Sequence, residues 1–77
     1  MKKIKSIEQL KKESKDGADF HIVLNHGLRS SKNVQFDEGK FYVYNEIDGT
    51  SQVLKEEELF TKSNIGKAIS KGAFFKD

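Results

Sequence analysis

The apolar positions of this chain change period along its length, and the changes mark out its elements. Through the middle they alternate with polar residues, as on a half-buried strand; near both ends they recur at three and four, as on a helix face. The clearest alternation is Phe41-Tyr42-Val43-Tyr44, which runs through Asn45-Glu46-Ile47 into Asp48-Gly49-Thr50. Asp-Gly suits a two-residue type I′ turn, whose central residues both need φ > 0. A turn centred there pairs Ile47 with Thr50, Glu46 with Ser51, Asn45 with Gln52, Tyr44 with Val53 and Val43 with Leu54. Side chains alternate faces along a strand. Phe41, Val43, Ile47 and Leu54 are therefore expected on one side of a sheet, and Tyr42, Tyr44 and Val53 on the other.

Glu38-Gly39 reads as a second tight turn. It sets Asp37 opposite Lys40, a pair of opposite charge, and Phe36 opposite Phe41. Val34 and Phe36 then join the face of Phe41 and Val43, so two hairpins agree on which side is core. Upstream, Phe20-His21-Ile22-Val23-Leu24 forms a strand with Phe20, Ile22 and Leu24 on one face. Asn25-His26-Gly27 suits a three-residue hairpin loop with Gly27 left-handed, which pairs Leu24 with Leu28. In the next strand Ser30 and Lys32 interrupt the apolar parity, which predicts a bend or bulge near Ser30-Ser31.

The helical segments flank this block. Ser6 with Gln9 makes a capping box, Ile4, Ile7 and Leu10 form a thin apolar stripe, and Gly17 can close the helix, which spans about residues 7–15. Lys55 to Phe60 forms a short helical turn whose acidic start, Glu56-Glu57-Glu58, suits the positive end of a helix dipole. Leu54 and Leu59 have the spacing of a hydrophobic staple around Lys55. Ser63 or Asn64 caps a further helix with Ile65, Ala68 and Ile69 on its inner face, Gly72 ends it, and Ala73-Phe74-Phe75 adds a last strand. The whole reads as a single α+β domain over residues 1–77: a small antiparallel four- to five-stranded β-meander with helices packed on one face. The expected core is Phe20, Ile22, Leu24, Val34, Phe36, Phe41, Val43, Ile47, Leu54, Ile65 and Ile69.

Composition narrows the chemistry. A chain of 77 residues buries a modest core. With no cysteine, disulfides, thiolate metal sites and a cysteine nucleophile are excluded. No apolar run approaches the length of a membrane span, and the basic start Met1-Lys2-Lys3 leads into no apolar segment, so a cytoplasmic protein is expected. Fourteen basic against twelve acidic residues leave a formal charge of +2, too little for a strong non-specific nucleic-acid binder. His21 and His26, the two histidines, fall short of a zinc site. Ser30 or Ser31 with a histidine would sketch a nucleophile and base, but no supporting motif accompanies them. No cofactor is called for, and a non-catalytic protein is expected.

The candidate working surface is the face opposite the core. By parity it carries His21, Val23, Arg29, Ser31, Asn33, Gln35, Tyr42, Tyr44 and Val53. Paired tyrosines beside an arginine suit a protein interface, and they also suit stacking on single-stranded bases; an ordinary solvated sheet face is the plain alternative. A second candidate is Gly27-Leu28-Arg29-Ser30-Ser31-Lys32, whose hydroxyls, amides and cations suit a phosphate, against a simple hairpin exit. Combining the two, Tyr42, Tyr44, Arg29, Ser31, Lys32 and His21 are the expected partner-binding residues. Glu56-Glu57-Glu58 reads as a solvated helix start, and Phe74-Phe75 as a pair split between core and edge.

The segments Gly27-Leu28-Arg29-Ser30-Ser31-Lys32, Asn45-Glu46-Ile47-Asp48-Gly49-Thr50, Glu56-Glu57-Glu58-Leu59 and Asn64-Ile65-Gly66-Lys67-Ala68-Ile69 resemble short uncharacterised proteins of phages and mobile elements. The resemblance covers most of the chain from Ala18 to Phe75. It implies an accessory role such as host takeover or inhibition of a bacterial defence system. It brings no assigned site residues with it. A protein partner is thus the first expectation, with nucleic acid second.

Overall fold

The computed structural model describes every residue from Met1 to Asp77. Six strands form one antiparallel sheet: β1 (Lys2–Lys3), β2 (Ala18–Val23), β3 (Arg29–Asp37), β4 (Lys40–Asn45), β5 (Ser51–Leu54) and β6 (Phe74–Lys76). Their order across the sheet is β1-β6-β2-β3-β4-β5. Strands β2 to β5 are the expected meander. The expected last strand, β6, docks on the free edge of β2, and the strand number exceeds expectation because the short β1 then docks on β6. Two residues carry too little pattern to announce a strand.

Helices α1 (Ile7–Glu13) and α2 (Ile65–Ser70) feed the same core. It unites Leu10 of α1 and Ile65, Ala68 and Ile69 of α2 with Phe20, Val34, Phe41, Val43, Leu54 and Phe74 of the sheet, together with Ile4 and Leu59. Phe20 lies at its centre, stacked on Phe74 at 5.4 Å and tilted against Phe41 at 6.5 Å. Burying each large apolar side chain contributes about 1.5–3 kcal/mol, so the eleven that join Ala68 in this cluster carry the domain. Ile22 and Phe36 are partly buried against the cluster.

The Ser6 hydroxyl accepts the Gln9 amide at 3.1 Å, as the capping box requires. The Gln9 side chain reaches the Lys5 amide at 2.7 Å, one residue earlier than the motif implies. The helix stops at Glu13 with Ser14 as its C-cap, short of Lys15. There Glu13 receives Lys2 at 2.6 Å and Lys76 at 3.2 Å, which ties the helix end to β1 and β6. These two ammonium groups, Lys2 first, hold the Glu13 carboxyl below its ordinary value. Helix α2 ends in a Schellman motif: Ala73 donates to the Ala68 carbonyl at 2.8 Å and Gly72 to that of Ile69 at 3.1 Å. Gly72 makes this possible with φ of 70°, a conformation that strains residues with a Cβ.

The Glu38-Gly39 turn forms as expected, with Asp37 opposite Lys40 and Phe36 opposite Phe41; the two rings meet edge to face at 5.0 Å. The Asn25-His26-Gly27 loop also forms, with Leu24 donating to the Leu28 carbonyl at 2.7 Å and Gly27 at positive φ. Val23 lies opposite Arg29 but His21 opposite Asn33. Strand β3 thus fits Ser30, Ser31 and Lys32 against Ile22 alone, the irregularity expected there.

The Asp48-Gly49 hairpin departs from expectation. Asn45 donates to Thr50, at 2.9 Å, and Glu46–Gly49 form a wider loop. The Asn45 carboxamide accepts the Ile47 amide at 2.9 Å, and the Asp48 carboxylate accepts both the amide and hydroxyl of Thr50, at 2.9 and 2.6 Å. These local side-chain turns satisfy backbone groups that a two-residue turn would have paired. Phe41 consequently faces Leu54, and Tyr42 faces Val53. The register is shifted by two, and an even shift moves no side chain to the other face. Ile47 does leave the sheet and is 82% exposed, so it is not core. Leu24 is not core either: Ile22 pairs with Phe74, the first residue of β6, and the hairpin tip beyond it runs past the strand that would cover Leu24.

Candidate binding face

The face away from the helices carries an unbroken row of side chains from edge to edge. Lys3 lies opposite Phe75, the other neighbour of Phe75 is His21, and the row continues through Asn33 and Tyr44 to Ser51. A second row runs Asp19, Gln35, Tyr42 and Val53. Alternation on β4 puts Phe41 and Val43 into the core, which obliges Tyr42 and Tyr44 to point outward. They are 37% and 47% exposed. With Asp19, Arg29, Asn33, Gln35 and Asp77 they line a shallow depression of about 350 Å³.

Arg29 is held in this depression by two contacts. Its guanidinium donates to Asp77 at 3.0 Å and to the Asn33 side chain at 3.4 Å. The other oxygen of Asp77 is bonded to Nδ1 of His21, and the Asp77 amide donates to the Asp19 carbonyl at 2.9 Å. The Asn33 amide group in turn donates to Glu46. The arginine is therefore oriented and charge-compensated, and the carboxylates of Asp19 and Glu46 stand around the tyrosines. A guanidinium presented this way still has free N–H groups for an acceptor on a partner.

Tyr42, Tyr44 and Arg29 are thus brought together as expected. His21 faces the same side, but it is buried at 5% exposure. Strand β6 sets Phe75 beside it, with the rings stacked at 5.7 Å, and Asp77 covers its Nδ1. It supports Arg29 through Asp77 and offers no contact surface. Lys32 belongs to the opposite side of the sheet, paired with Asn45 and facing α2. Ser31 is half-buried, its hydroxyl 3.4 Å from the Asn45 side chain. The Arg29–Lys32 segment divides its two cations between faces, so they do not converge on one phosphate. Neither Ser30 nor Ser31 is bonded to a histidine; Ser30 accepts the Lys32 amide at 3.2 Å. Within the acidic run, Glu56 pairs with Lys11 at 3.5 Å and Glu58 with Lys62 at 2.8 Å. No group of three His, Cys, Asp or Glu side chains is placed to hold a metal ion.

Nothing in the sequence singles out Asp77, Asp19 or Glu46. Phe75 was legible as one half of a split pair, but the strand it would lie beside was not. Knowing that β6 joins β2 is what carries Phe75 and Asp77 onto His21 and Arg29.

No family model matches the chain, and no curated sequence or solved structure matches it either. No helix is long and apolar enough to cross a membrane.

Proposed function

We propose that this is a non-catalytic accessory protein that binds and occludes a protein partner through the Tyr42–Tyr44–Arg29 face. The observation that carries this reading is the makeup of that face. Two half-exposed tyrosines stand on an inner strand of the sheet, beside an arginine whose orientation is already fixed. Tyr and Arg dominate the energetics of protein interfaces, and rigid aromatic anchors lose little entropy on binding. The carboxylates of Asp19, Glu46 and Asp77 around the tyrosines disfavour a phosphate backbone, which needs uncompensated cations. Protein therefore ranks above nucleic acid as the partner. The resemblance to phage and mobile-element proteins makes a host protein, such as a bacterial defence component, the partner class, met in the cytoplasm.

Affinity capture from a nuclease-treated bacterial lysate tests the reading when run beside Tyr42→Ala with Tyr44→Ala. The double variant is expected to stay folded and to lose the protein recovered by the wild type. Equal recovery by both would move the working surface elsewhere. Tight, salt-sensitive binding to a random oligonucleotide would favour the nucleic-acid reading instead.

A further inference from the structure

A second cleft of about 530 Å³ lies on the other side of the sheet, between the tip of the β2–β3 hairpin and α2. Its rim carries Lys32, Lys67, Lys71 and His26, and no acidic residue lines it. Its floor is aliphatic: Ile22, Leu24, Ala68 and Ala73. None of the three lysines forms an ion pair, whereas Lys2, Lys11, Lys62 and Lys76 all do; Lys32 has Asp48 in its neighbourhood, and Lys67 and Lys71 have no carboxylate lining the cleft beside them. Lys67 and Lys71 stand four apart on α2 and its C-cap, where the helix dipole favours cations and the pair presents two positive charges side by side. Leu24 is 50% exposed on the floor, and Leu28 beside it in the hairpin is also exposed. The hairpin thus holds large aliphatic side chains in water next to unpaired cations.

We propose that this cleft binds an acidic peptide segment of a partner protein that also carries aliphatic side chains. Carboxylates would meet the three lysines while leucine- or valine-like side chains cover Ile22, Leu24 and Ala73. Charge complementarity selects an anionic occupant. The lining favours a peptide over a nucleic acid, because its floor is aliphatic and, His26 at the rim apart, it offers no ring on which a base could stack. The inference is independent of the tyrosine face, which lies on the opposite side of the sheet.

The test is an NMR titration of the whole isotope-labelled chain with a short synthetic peptide mixing Asp, Glu, Leu and Val. Amide shifts are expected to map to Ile22, Leu24, Lys67, Ala68 and Ala73. Affinity should fall about tenfold or more in Lys67→Glu with Lys71→Glu, and should weaken with salt. It should persist in Tyr42→Ala with Tyr44→Ala. Should the charge reversal unfold the chain, Lys67→Gln with Lys71→Gln repeats the comparison. Four results overturn the proposal. They are shifts absent at millimolar peptide, shifts confined to the tyrosine face, tighter binding of an oligothymidine in the cleft, and self-association of the chain through the cleft.

Discussion

Replacing Phe41 by alanine tests the face assignment on which the candidate surface rests. Phe41 is 2% exposed, sits edge-on to Phe36 at 5.0 Å, tilts against Phe20 at 6.5 Å and lies opposite Leu54. Its ring is enclosed on the helix side, and its removal leaves a cavity between sheet and α1 that rigid neighbours cannot fill. Such deletions cost about 3–5 kcal/mol. A domain of 77 residues has about 4–12 kcal/mol in all, at roughly 0.05–0.15 kcal/mol per residue. The variant should therefore be severely destabilised, with Tm lowered by about 12–40 °C at 4–8 °C per kcal/mol. Tyr42→Ala, one residue away on the opposite face, removes a cross-strand contact with Val53 and should cost only about 0.2–1 kcal/mol. Urea unfolding of both variants, followed by far-ultraviolet circular dichroism, gives the comparison directly. Equal costs for the two, or a Phe41→Ala cost below about 1 kcal/mol, would refute the assignment.

Ile47→Ser should leave stability within about 0.5 kcal/mol, because Ile47 lies in the solvent-exposed loop; a core-sized loss in urea unfolding would restore the tighter turn. Gly66→Ala should behave oppositely in two backgrounds, since a Cβ there would lie 2.1 Å from Cδ1 of Phe60. In the wild type it should displace the ring and destabilise, whereas in Phe60→Ala it should stabilise by up to about 1 kcal/mol through helix propensity; a double-mutant cycle without coupling would exclude the clash. Glu13 has a lowered pKa from the hydrogen bonds of Lys2 and then Lys76, so its contribution is complete above its ordinary value of 4.5 and is lost as pH falls through the folded value. Thermal melts from neutral to acidic pH should show a shallower loss for Glu13→Gln than for the wild type.

Much of the sheet was legible because turn chemistry and alternation gave the same answer twice. Glu38-Gly39 fixed a register that the structure keeps, and Phe41, Val43 and Leu54 are buried as expected. The second hairpin shows what a local pattern leaves open. Asp48-Gly49 marks a turn, but Asn45 and Asp48 have side chains that satisfy a wider loop equally well, and only the even shift preserved the faces. Leu24 illustrates a different gap: parity says which side a residue faces, not whether anything lies above it. The fate of His21 depended on a strand more than fifty residues away in sequence, with Phe75 as its neighbour, and no spacing in the chain encodes that pairing. Tyr42, Tyr44 and Arg29 were recoverable from parity alone; the carboxylates that qualify their chemistry were not.

The position of β6 between β1 and β2 also orders assembly in time. Strand β1 pairs with no strand but β6, so the first strand of the chain cannot join the sheet before residues 74–76 have been synthesised. Until then β2 presents a bare edge, the kind that recruits other chains, and Ile4 lacks the Phe74 carbonyl that accepts its amide at 2.8 Å. A chain lacking Phe74–Lys76 is therefore expected to associate edge to edge through β2. The meander β2–β5, joined by short local hairpins, can form early, and the long-range closure by β6 and β1 comes last.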